Sequence, residues 1–266
     1  MLKDYHTHSR YSYDSQQPLE TLAAAAEAAQ VGEICVTDHI DLGHCSQEGN
    51  TLPDLAGRHE AIQALRQAHP GLVIREGIEI GDCPATRRQM LDYLTPFHLD
   101  YHLLSLHMVD GNDPYYPSFY VGKERDAAYR RYAETLAEAV AAWAPEDYDA
   151  LAHLGYVAKF APYENKPFRH GDAPDAIDAV LRCLARNGKA LEINTSSLKN
   201  SPETMASRDI LLRFRELGGE YVTLGSDAHA PEFVGYRLAE ARQLALDCGF
   251  RYGVAFAGRR MTAYLL

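Results

Sequence analysis

The chain has 266 residues and is 46% hydrophobic, enough for one barrel-type domain or two small ones with a real core. Lys and Arg number 26 against 37 Asp and Glu, a net charge of -11 with His neutral, which argues against a surface for long nucleic acid. It leaves a small phosphorylated molecule open, because bound divalent cations would reverse the sign locally.

No run approaches the roughly 20 apolar residues of a membrane helix. No basic-then-apolar leader opens the chain. The five Cys are odd in number and form no CxxC pair, so a disulfide framework is not expected and a reducing, cytoplasmic setting is.

The predicted elements alternate in type. Residues 2–8 read as strand one, in which Asp4, His6 and His8 alternate and so should share one face. Residues 18–32 are a helix with Pro18 in its first turn and Gly32 past its end. Strand two covers 33–39 and a polar loop covers 40–54. A helix over 55–71, strand three over 72–81 and a helix over 85–97 follow. Strand four is 99–111, a long aromatic loop is 111–122, and an amphipathic helix is 123–143. Strand five is 148–157, an irregular stretch is 158–174, and a helix is 174–188 with Gly188 at its end. Strand six (189–197), a helix (208–219), strand seven (221–229) and a helix (233–249) lead to one final short strand. Seven strand-to-helix units in a row predict a parallel sheet with helices outside. With no reversal and no long linker, closure into a barrel is expected over all of 1–266, as a single domain.

The polar residues make a second pattern. His6 and His8 end strand one, His39 strand two, Glu79 strand three, His107 strand four and His153 strand five, while Asp227 and His229 end strand seven. In a parallel barrel all strand C-termini lie on one face, which holds the active site. Burying that many imidazoles and carboxylates costs free energy unless something satisfies them, and divalent metals would. Asp14 lies one short loop beyond strand one.

HTH at 6–8, TDH at 37–39, GIE at 77–79, SLH at 105–107, AHLGY at 152–156 and GSDAH at 225–229 together resemble the motifs of the polymerase and histidinol phosphatase (PHP) superfamily. The resemblance spans essentially the whole chain, and the lack of any polymerase part is similar to its stand-alone histidinol-phosphatase branch. It implies a distorted (β/α)7 TIM-like barrel and two to three divalent metal ions. One ion would take His6, His8, Glu79 and Asp227. A second would share Glu79 and add His107 and His153. A third would take Asp14, His39 and His229. Among these, Glu79, Asp227 and His229 are the expected catalytic residues. Imidazole and carboxylate donors without thiolate suit Zn, Fe or Mn better than Ca or Mg.

The implied activity is a phosphomonoesterase in which metal-activated water attacks phosphorus. The implied substrate is L-histidinol phosphate, at a late step of histidine biosynthesis. Lys159, Arg10, Asn194 and His44 are the candidate substrate binders, with Arg169, His170 and Lys199 in loops on the same predicted face. Glu192, on the strand without an assigned ligand, is open between a site role and a buried partner for a basic residue. Asp38 is a candidate support for its neighbour His39. Asp41 and Asp113 read as loop residues. No GxSxG and no Gly-rich P-loop with its Lys is present, so serine hydrolase and nucleotide kinase readings lack support. The alternatives are a phosphoesterase for nucleotides or other small phosphoesters, an amidohydrolase-type enzyme, and a non-catalytic metal-binding module. The oligomeric state is not legible.

Overall fold

The computed structural model describes residues 1–266. Its parallel strands are β1 (Leu2–Thr7), β2 (Val31–Val36) with the two-residue β3 (His39–Ile40), β4 (Val73–Gly81), β5 (Tyr101–Ser105), β6 (Ala150–Leu151), β7 (Ala190–Asn194) and β8 (Val222–Gly225). The helices between them are α1 (Leu19–Ala28), α2 (Leu55–Ala68), α3 (Arg87–Leu94), α4 (Arg125–Ala142), α5 (Pro174–Arg186) and α6 (Arg208–Glu216), with α7 (Leu238–Asp247) after β8. Two C-terminal strands, β9 (Tyr252–Ala257) and β10 (Arg260–Leu265), complete the chain. The sheet order follows the chain, β1-β2-β4-β5-β6-β7-β8-β9-β10, with β3 beside β4.

The barrel closes between β8 and β1 through backbone bonds from Asp227 N to His6 O (2.8 Å) and from His8 N to Ala228 O (2.9 Å). These bonds lie at the polar ends of the strands. Helices cover the outside because their apolar residues recur at helical spacing. Ile177, Val180, Leu181 and Leu184 of α5 form one buried stripe. Gly188, with φ +61, lets the chain leave α5 in the left-handed conformation that ends many helices.

Three expectations need correction. First, Asp4 does not share a face with His6 and His8. The β1–β2 register shifts between Asp4 and Thr7, and this irregularity breaks the alternation. The Asp4 carboxylate instead accepts from Ser226 N and Oγ and from Gly235 N. Second, strand two begins at Val31, because Val31 pairs with Leu2 and strand pairing ends α1 early. Third, the final strand is a hairpin. Gly258 and Arg259 take φ +53 and +63, the two left-handed residues of a tight hairpin turn.

That hairpin plugs the barrel at the strand starts. Phe256 packs against Tyr101 (ring centroids 4.9 Å) and Tyr5 (6.2 Å), and its backbone N–H donates to the Tyr5 hydroxyl at 2.8 Å. Arg259 donates to Asp149, which precedes β6. One end of the barrel is therefore sealed by apolar packing and the other is left for polar residues. No helix is long and apolar enough to cross a membrane.

Candidate metal centre

Every polar residue expected at a strand C-terminus lies at the open end. His6 and Glu79 sit within β1 and β4, and His39 opens β3. His8, His107, His153, Asp227 and His229 lie just past their strands, because the ladders end early. β6 keeps only two residues before His153, which has φ +21. Asp227 has φ +53. Two non-glycine residues in left-handed backbone, both facing one cluster, are a mark of functional sites.

Glu79 is the hub. Its Oε2 lies 2.9 Å from His6 Nε2, 3.4 Å from His8 Nε2 and 3.3 Å from His39 Nδ1. Its Oε1 lies 2.8 Å from His153 Nε2 and 3.2 Å from His107 Nε2. Asp227 Oδ1 lies 3.4 Å from His8 Nε2 and 3.6 Å from His6 Nε2. Asp14 Oδ2 lies 2.9 Å from His229 Nε2 and 3.4 Å from His39 Nε2. The His8 ring stacks between those of His39 (4.4 Å) and His229 (4.0 Å).

The charges of these groups are tightly linked. Burial alone would raise the Glu79 carboxyl, yet His6, His39 and His107 hold it well below the usual carboxylate range. Burial would lower His6, but Glu192, Glu79 and Asp227 hold it well above its usual value. Burial, with His229 and His39 close by, pushes His8 down to about 3, so it is neutral. Its Nε2 is buried without a hydrogen-bond partner while facing two carboxylates. A lone pair so placed fits a cation between it and the carboxylates, and protons and metal ions compete for such donors.

The ligand atoms form three groups, each within 4.8 Å: His8, Asp14, His39 and His229; His6, His8 and Glu79; His39, Glu79 and His107. These groups hold seven of the nine expected ligands; Asp227 and His153 adjoin the cluster but fall in none of the three, so the partition differs from the expected one. His8 also stands with the Asp14 group, and His39 also stands with Glu79 and His107.

A second layer fixes the rings. His6 Nδ1 donates to Glu192 Oε1 at 2.7 Å, and His107 Nδ1 donates to Asp41 Oδ2 at 3.1 Å. A carboxylate only accepts, so these contacts put a proton on each Nδ1 and turn each Nε2 toward Glu79 at the centre. Glu192 is thus a buried partner of a basic residue, and Asp41 is more than a loop residue. The one available signal for Asp41 was its position two residues after His39.

Beside the cluster lies a cavity of about 540 Å³. Its lining carries both charges: Lys159 and Lys199 together with Glu48 and Asp113, beside Ser196, Asn200, Tyr115, Tyr116 and Phe160. Lys159 Nζ donates to Asp227 Oδ2 at 2.6 Å, and Ser196 Oγ donates to the same oxygen at 2.9 Å. His44 lines the cavity, with Nε2 donating to Asp113 Oδ2 at 2.9 Å. Asp113 also accepts from the Tyr156 hydroxyl, so it builds the wall rather than a free loop.

Two expected substrate binders are not brought to the cavity. Arg10 is turned outward over the Tyr11 ring. Asn194 is buried behind the cavity lining, donating to Glu192 and accepting from the Ser196 backbone N–H. Arg169 pairs with Glu203, and His170 with Asp178, both away from the cavity.

The PHP domain family model matches residues 4–196. A histidinol-phosphatase of Lactococcus lactis is 28% identical over 260 residues, covering 97% of this chain and 95% of that protein. A probable histidinol-phosphatase of Deinococcus radiodurans is 30% identical over 268 residues, covering 98% of each. The crystal structure of the Lactococcus lactis histidinol phosphate phosphatase complexed with Zn, L-histidinol and phosphate matches with a TM-score of 0.90 at 28% identity over 98% of both chains. A putative histidinol phosphatase of Listeria monocytogenes shares the fold, with a TM-score of 0.77 at 18% identity, covering 90% of this chain and 99% of that one. The matched span covers well over half of the chain and carries seven of the nine cluster residues, Asp227 and His229 lying beyond it, and the chain belongs to the PHP domain family.

Proposed function

We propose that the chain, acting as one domain, is a metal-dependent phosphomonoesterase that hydrolyses L-histidinol phosphate to L-histidinol and phosphate. The observation that carries this reading is the cluster around Glu79, where five imidazoles face one carboxylate at the edge of a cavity that Lys159 and Lys199 help to line.

His6, His8, Asp14, His39, Glu79, His107, His153, Asp227 and His229 would hold the ions. Divalent ions bound there supply water of lowered pKa and offset charge on the phosphoryl oxygens. The chain's own groups do the rest. Lys159 and Lys199, both in the cavity lining, grip the phosphate. Glu48 and Asp113, which also line the cavity, suit the amino and imidazole end of the substrate, with Tyr115, Tyr116 and Phe160 as aromatic surfaces. A phosphoester with a cationic tail fits this layout better than one carrying further phosphates, and the net charge of -11 supports a small substrate over long nucleic acid. The five free cysteines support work in a reducing compartment such as the cytoplasm.

The test is phosphate release from histidinol phosphate beside a nucleoside monophosphate and an aryl phosphate. Preference for histidinol phosphate by about tenfold or more in kcat/KM supports the reading. Preference for the nucleotide would keep the chemistry and replace the substrate.

A further inference from the structure

Helix α2 carries a buried stripe of Leu55, Arg58, Ile62 and Leu65. Position 58 is where an apolar residue belongs, yet it holds an arginine that is 0% exposed. Its partner Asp38 is also 0% exposed. Neither residue lines the cavity. Burying both charges is costly, and an apolar pair of similar size would often serve stability as well. The contacts show what an apolar pair could not hold.

Arg58 Nη1 donates to Asp38 Oδ2 at 3.2 Å, and Nη2 donates to the Gly77 carbonyl at 2.6 Å. Asp38 Oδ1 accepts from Ser9 N at 2.6 Å, and Ser9 Oγ donates to Oδ2 at 3.0 Å. The Asp38 carbonyl accepts from Glu79 N at 3.2 Å. Ser9 follows His8, Asp38 precedes His39, and Gly77 lies two residues before Glu79. Each of the three ligand groups contains two of these three ligands.

We infer that Arg58 and Asp38 are positioning residues for the metal centre: together they clamp the three backbone segments that carry His8, His39 and Glu79. The clamp sets the spacing of ligands that the groups share. It acts through the backbone and touches neither substrate nor ion. The inference rests on the metal reading of the cluster, which the same experiment tests separately.

Wild type, Arg58→Lys and the double variant Asp38→Asn/Arg58→Met are stripped of metal. Their apo thermal midpoints are recorded. Zinc affinity is then measured by competition with a chromophoric chelator, and the visible spectrum is taken with cobalt alone. The double variant leaves no buried charge unpaired, so its apo midpoint should stay near wild type. Its zinc Kd should weaken by about 10- to 100-fold and its cobalt spectrum should change. Arg58→Lys keeps the charge but loses the two-pronged grip, so it should fall between. With saturating metal, kcat should drop while KM holds.

Wild-type zinc affinity and cobalt spectrum in both variants would overturn the clamp. If the double variant fails to fold, Arg58→Lys decides alone, and an unchanged affinity and spectrum there overturn it. A wild-type chain that takes up no zinc would overturn the metal reading and the clamp with it.

Discussion

Glu192 joins two members of the strand-end cluster that lie far apart in the chain. Its Oε1 accepts from His6 Nδ1 at 2.7 Å, and its Oε2 accepts from the His153 backbone N–H at 2.7 Å. One carboxylate therefore sets the ring of one ligand and steadies the left-handed backbone of another. An amide cannot accept at both atoms. Glu192→Gln should leave one buried donor unsatisfied, costing about 1–3 kcal/mol in stability. It should also weaken metal binding by about 10- to 100-fold. Thermal unfolding and metal titration check the two effects, and wild-type metal affinity would remove Glu192 from the centre.

Glu79→Gln is a sharper substitution. It keeps shape but removes the charge that five imidazoles surround. Phosphate release should fall to background while circular dichroism stays that of the native fold. Turnover near wild type would mean that Glu79 is not a shared ligand.

Lys199 gives the account a pH signature. Burial, with Lys159 nearby, lowers its pKa to about 8, against the opposite pull of Asp227 and Glu232. It is charged below that pH and neutral above it. If it holds the phosphate, KM should be flat below pH 8 and rise above it. Lys199→Arg keeps the charge at every working pH, so the rise should vanish. A wild-type KM that stays flat through pH 9.5 would move phosphate binding elsewhere.

At the sealed end of the barrel, Phe256→Ala should act on stability alone. It empties the space beside Tyr5 and Tyr101 and should cost about 3–5 kcal/mol. KM should not change, because the plug lies at the opposite end from the cavity. Urea unfolding beside steady-state kinetics separates the two.

The barrel and the convergence of polar residues at its open end were legible because nearly every apolar run ended in a His, Asp or Glu, and parallel topology gathers strand ends on one face. What was not legible was decided by long-range partners or local backbone. Glu192 and His6 are 186 residues apart, and Asp41 and His107 are 66 apart, so no local pattern announces either pair. Arg10 follows the HTH motif closely, but the turn that bonds its N–H to the Gln17 carbonyl carries its side chain away. The register shift after Asp4 cannot be read from alternation. The C-terminal hairpin was missed because its turn is Gly-Arg, whereas Asn-Gly is the usual signal.

The most direct test of the central claim joins metal content and activity on one sample. The chain is purified, its metals are counted, and phosphate release from histidinol phosphate is measured before stripping, after stripping and after adding zinc back. The account predicts about two to three ions per chain, loss of turnover on stripping and its return with zinc. Full turnover in the stripped chain, or a metal-loaded chain that releases no phosphate from any phosphoester, would contradict it.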